Sequence, residues 1–92
     1  MVNEVEVIGD CAMPQERQRV VLDWFHGLNA MPTDMEVASW AKRVWGGEWV
    51  CAKVTQDGTY GRNWVHCTSV DPEYWIELGV DHEWYYTLFK FL

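Results

Sequence analysis

Cys51 and His66 are the two residues of this sequence whose types and spacing could do covalent chemistry. A thiol beside an imidazole can lose its proton and attack an electrophile. On a β-hairpin turning at Asp57-Gly58, Cys51 faces Trp64, and His66 lies diagonally across on the same sheet face. No third group is in place to orient the imidazole, and no oxyanion-hole signature accompanies the pair. A half-buried Cys and a surface His are the plainer account. Zinc ligation by Cys11, Cys51, His66 and Cys67 is weaker still. The adjacent His66 and Cys67 point to opposite faces of a strand, and none of the paired spacings of zinc sites occurs. Three cysteines without a CxxC pair indicate reduced thiols rather than a disulfide framework. No catalytic, metal or cofactor site is therefore expected, and the chain reads as non-enzymatic.

The second constellation is electrostatic. "DPEYWIELGVDHEWYYTLFKFL" (residues 71–92) holds five carboxylates and one lysine among closely spaced aromatics. Between residues 71 and 89 there is no Lys or Arg. A row of carboxylates imitates the charge of a phosphate backbone, and aromatic neighbours supply area that can be desolvated. Glu73, Tyr74, Trp75, Glu77, Asp81, Glu83 and Trp84 are the candidate partner-binding residues. A solvated acidic rim is the alternative reading of the same charges. Across all 92 residues acids outnumber bases fourteen to seven, for a formal net charge of −7. That balance opposes direct contact with nucleic acid, which needs clustered Lys and Arg, and suits a partner with a basic surface.

Seven tryptophans are also many for this length. Trp24 and Trp40 fall on helical stripes and read as core. Trp45, Trp49, Trp64, Trp75 and Trp84 are too many to bury together in so small a domain, and exposed aromatics serve as interface anchors.

The elements that must position these residues are legible in the periodicity. "VNEVEVI" (residues 2–8) alternates as a half-buried strand, with Val5 and Val7 on one face and Glu4 and Glu6 on the other. Pro14 suits a first helical turn, and Val21, Trp24, Phe25 and Leu28 make a buried stripe behind it. Thr33 with Glu36 fits a capping box for a helix over residues 33–45. Its stripe is Val37, Trp40, Ala41 and Val44, and Gly46-Gly47 stops it. The hairpin spans residues 48–67, with Val50, Val54 and Val65 on its apolar face. Asp71-Pro72 reads as the start of a short helix ended by Gly79. On it Glu73 and Glu77 form an i, i+4 like-charge pair. Tyr85, Leu88, Phe89 and Leu92 fit a helical stripe, yet "WYYTLFKF" has strong β-propensity, and a terminal strand is preferred.

These elements predict an α+β fold in one compact domain spanning residues 1–92, with two helices packed on a small, mainly antiparallel sheet. Neither a signal-peptide pattern nor a run of membrane-spanning length is present, so a cytoplasmic protein without membrane contact is expected. The functional expectation is a small acidic module that binds a protein and blocks a basic, nucleic-acid-binding surface. In size and charge it is similar to phage-encoded inhibitors of host systems, anti-CRISPR proteins among them, although no residue motif carries the likeness. The alternatives are a winged-helix-like DNA-associated regulator using residues 33–45, with Lys42 and Arg43, together with the hairpin, and an enzyme built on Cys51 and His66.

Overall fold

The computed structural model describes residues 1–8, 11–54 and 72–92. The chain forms β1 (Val5–Val7), α1 (Gln15–His26), α2 (Asp34–Trp45), β2 (Trp49–Val54), β3 (Pro72–Val80) and β4 (Trp84–Phe91). The four strands make one antiparallel sheet in the order β1-β3-β4-β2. Both helices pack against one face of it, giving the α+β class that the periodicity predicts.

Local chemistry accounts for the helices. Pro14 sits immediately before α1 with φ −56° and ψ 143°, where its missing N–H costs nothing. Val21 and Phe25 are fully buried, with Trp24 and Leu28 packed partly buried beside them. In α2 the capping box is present in both directions. Glu36 N–H donates to Thr33 Oγ1 at 3.1 Å, and Thr33 N–H donates to Glu36 Oε1 at 3.3 Å. Val37, Trp40 and Ala41 face the core, but Val44 is 46% exposed and leaves the expected stripe. The last turn offers Trp45 instead, whose ring lies 5.4 Å from Trp40 and 5.4 Å from Trp49. Gly46 at φ 71° and ψ 177° ends the helix in a conformation open essentially to glycine alone.

The short helix expected from Pro72 to Gly79 is a strand. Tyr74, Ile76, Leu78 and Val80 alternate with Trp75, Glu77 and Gly79. This period of two buries Ile76, Leu78 and Val80 completely, which no helical stripe through these positions could do. Pro72 is the first strand residue, a place where a missing donor is tolerated. The C-terminal stretch is a strand, as its β-propensity suggests.

Register divides the sheet into two faces. Toward the helices point Tyr74, Ile76, Leu78 and Val80 of β3, Trp84, Tyr86 and Leu88 of β4, and Trp49 and Cys51 of β2. Burying one aliphatic or aromatic side chain of this set contributes about 1.5–3 kcal/mol. On the opposite face Ala52 and Phe89 are buried, with Val50, Trp75 and Phe91 packed against them. The alternation expected for residues 49–54 is therefore present with its faces exchanged. Trp49 and Cys51 join the main core, and Val50 belongs to the smaller cluster. The turn at Asp57-Gly58 and the strand expected beyond it lie outside the described residues.

Candidate protein-interaction surface

The β3–β4 connection organises one end of the sheet. Asp81 and His82 have φ of 53° and 59°, and Glu83 N–H donates to the Val80 carbonyl at 3.1 Å. Positive φ at both central residues is the type I′ pattern that matches strand twist. Asp and His tolerate it better than most side chains. Asp81 then draws in the N-terminal segment. Its Oδ1 accepts from the backbone N–H of Asn3 at 2.9 Å and of Glu4 at 2.7 Å, and its own N–H donates to the Glu4 carbonyl at 2.8 Å. His82 Nε2 lies 2.7 Å from Glu4 Oε2.

Glu6 is in register with Gly79 and lays its side chain over it; a Cβ at Gly79 would stand 3.8 Å from Glu6 Cγ. Two residues away, Glu77 shares that face. Carboxylates remote in sequence, Glu4 and Glu6 of the N-terminal segment and Glu77 and Asp81 of β3 and its turn, thus lie toward one end of the sheet, with Glu83 next along the turn. Among the described residues, none of Glu6, Glu77 and Glu83 is ion-paired to Lys or Arg. The notch between Glu4, Glu6, Gly79, Asp81 and His82 encloses about 40 Å³. Ligand pockets run to roughly 300–1,000 Å³, so this end offers charge and edges rather than a small-molecule site.

The candidate residues do not form one continuous patch. Register slips between Pro72 and Tyr74, leaving Glu73 as an extra residue that reaches the Lys90 ammonium and is ion-paired there. Tyr74 faces the helices, with the Arg17 guanidinium 4.8 Å above its ring. Trp75 lies on the opposite face in the Ala52–Phe89 cluster. Trp84 packs on the main core under the Lys53 ammonium, 4.5 Å from its ring centre. Glu77 and Asp81 are joined by the β1 carboxylates, Glu6 lying diagonal to Glu77 and Glu4 opposite Asp81, while Glu83 follows in the turn. Tyr85, on the outward face in register with Gly79 and 46% exposed, is the aromatic beside them. Sequence reasoning passed over it. Strand alternation through Tyr85 and Thr87, set against Glu4 and Glu6 of β1, is the signal that points to this grouping.

Cys51 is 1% exposed beneath the helices, while His66 and Cys67 lie outside the described residues. Among the described residues no group of three or more His, Cys, Asp or Glu is arranged to hold a metal ion. Burial pushes the Tyr86 hydroxyl well above the ordinary tyrosine range, and the nearby acidic groups of Cys51, Asp34 and Glu36 add in the same direction. It stays neutral and donates to the Pro32 carbonyl at 2.7 Å. On α2, Lys42 turns to Glu48 at 3.7 Å, which thins an already small basic footprint. Among the described residues no helix is long and apolar enough to cross a membrane. Compared with protein families, curated proteins and solved structures, the chain matches none.

Proposed function

We propose that this protein is a non-enzymatic binding module that docks its acidic sheet end on a basic surface of a protein partner and blocks it. The surface blocked would be one that otherwise holds nucleic acid, whose phosphates the carboxylates replace electrostatically. The observation that carries this reading is the placement of Glu4, Glu6, Glu77, Asp81 and Glu83 along and around the hydrogen-bonded β3–β4 turn, with Tyr85 exposed beside them. A fixed array loses little freedom on binding, and its field speeds encounter with a basic partner. The formal charge of −7 adds to that field. An inhibitor of the phage-encoded kind fits this size and charge by analogy.

The test replaces Glu6, Glu77 and Glu83 with lysine together, leaving Asp81 in place because it holds the turn. The wild-type protein captures its partner from the native host, and the purified pair is then studied by surface plasmon resonance across ionic strengths. The triple variant should associate at least about tenfold more slowly at low salt and lose most of its salt dependence. Equal association rates for wild type and variant would sink the proposal.

A further inference from the structure

We infer that β1 is an open sheet edge that accepts one added strand from the basic partner, an extended segment in which Lys or Arg alternates with apolar residues. This rests on the proposed function only in taking the partner to be basic; the open edge itself is a matter of backbone geometry. Among the described residues β1 ends the strand order, with β3 on its inner side and no strand on the outer. Two bonds fix the phase of its ladder. Asp81 N–H donates to the Glu4 carbonyl at 2.8 Å, and Ile8 N–H donates to the Glu77 carbonyl at 2.9 Å. Residues paired by hydrogen bonds recur every second position in an antiparallel ladder. Glu4, Glu6 and Ile8 therefore spend their backbone groups on β3, while Val5 and Val7 aim theirs outward.

Such a row of outward N–H and C=O groups is the template for strand addition. The side chains set which strand fits. Glu4 and Glu6 stand exposed on one face of the edge, and Val5 and Val7 lie half-buried on the helix-packed face. Residues of an incoming strand that sit opposite Glu4 and Glu6 would place their side chains about 4.5–5.5 Å away, close enough for Lys or Arg to pair with them. The alternate positions would meet Val5 and Val7. Charge also decides against a second copy of this chain. Two β1 strands paired with each other bring Glu4 and Glu6 against their own equivalents, and like charges across a ladder repel.

The probe is a synthetic peptide alternating lysine with valine and threonine, added to the isotope-labelled full chain and followed by amide hydrogen exchange in NMR. Exchange at Val5 and Val7 should slow by about tenfold at saturation, as expected for one new hydrogen bond each. A peptide with glutamate in place of lysine should give no protection. Val5→Pro removes one outward donor at an edge position where proline is tolerated, and it should abolish protection at Val7 while leaving the β3 and β4 amides unchanged. Should that variant fail to fold, the wild-type chain with a peptide N-methylated at alternate amides asks the same question, and its binding should be lost. Three results overturn the inference: shifts at Glu6 and Glu77 without protection of Val5 and Val7, undiminished binding of the N-methylated peptide, or protection without peptide in a chain that sediments as a dimer. The triple lysine variant reports on the proposed function separately. If the native partner ignores that charge reversal while the peptide still protects Val5 and Val7, the functional reading fails and the open edge stands.

Discussion

The carbonyl of Pro32 lies at the junction of α2 with the sheet and has two side-chain donors among the described residues. Tyr86 Oη–H reaches it at 2.7 Å and Lys53 Nζ at 3.3 Å. Tyr86→Phe keeps the fully buried ring against Phe25, 5.2 Å away, and removes only the hydroxyl. The carbonyl then still has Lys53, so the loss is that of one ordinary hydrogen bond, about 1 kcal/mol. In a domain of this size that lowers Tm by roughly 4–8 °C. Lys53→Met keeps the stem over Trp84 and leaves Tyr86 as donor, with an expected cost of about 0.5–1 kcal/mol from the weaker bond and the lost cation–π contact. The double variant differs in kind, because a buried carbonyl is left without either donor. The desolvation penalty appears only there, and the combined loss should exceed the sum of the single losses by about 1 kcal/mol or more. Urea denaturation followed by tryptophan fluorescence measures all four proteins, and m should be common to them. Additivity within about 0.3 kcal/mol would show that Pro32 does not depend on this pair, and the reasoning would fail.

Three further outcomes are expected. Because Tyr86 is held neutral by burial, its folded pKa lies above its unfolded value of about 10, so its contribution is intact below that pH and declines above it, by up to about 1.4 kcal/mol per pH unit. Thermal melts of wild type against Tyr86→Phe between pH 8 and about 11.5 should converge as pH rises above the unfolded value and then cross, because the decline overtakes the roughly 1 kcal/mol hydrogen bond within about one pH unit; curves that stay parallel would contradict the assignment. Thr33→Ala removes the side-chain acceptor of the Glu36 N–H while leaving the backbone N–H of residue 33 for Glu36 Oε1, and should cost about 1 kcal/mol in the same urea assay. His82→Gly relieves a side chain held at φ 59°. It should leave Tm unchanged or raise it, since an exposed ion pair to Glu4 contributes little; a clear drop would mean that the His82–Glu4 contact secures the N-terminal segment.

What the sequence made legible was set by the range of the interactions. The capping box of α2, the stripe through Val21 and Phe25 and the alternation of Val5 and Val7 are written within a few residues, and the structure has them. Residues 72–80 misled because their punctuation was ambiguous. Pro72 opens a strand as readily as a helix, and Gly79 sits inside β3 in register with Glu6 rather than at a helix stop. The alternation of Tyr74, Ile76, Leu78 and Val80 was present and is the more reliable sign. Strand order could not be read locally, since β1 meets β3 across more than seventy residues. For the same reason the acidic grouping was legible only in its C-terminal half. Glu4 and Glu6 join Glu77 and Glu83 through the ladder and through Asp81, and no local pattern announces either.

The central place of β3 and β4 in the sheet has a consequence for how the chain acquires its structure in the cell. Residues 72–91 form the axis on which β1 and β2 pair from either side, yet they leave the ribosome after every element they organise. Until then β1 and β2 have no ladder to join, and the apolar faces of α1 and α2 have no sheet to cover them. Domains that are rich in local contacts can settle during synthesis, whereas pairings distant in sequence carry a loop-closure cost that slows them. The sheet therefore cannot close until the β3–β4 hairpin is available, and Asp81 then takes hold of Asn3 and Glu4. A stalled or shortened product lacking that hairpin is a chain with two orphan helices, exposed to aggregation and to proteolysis.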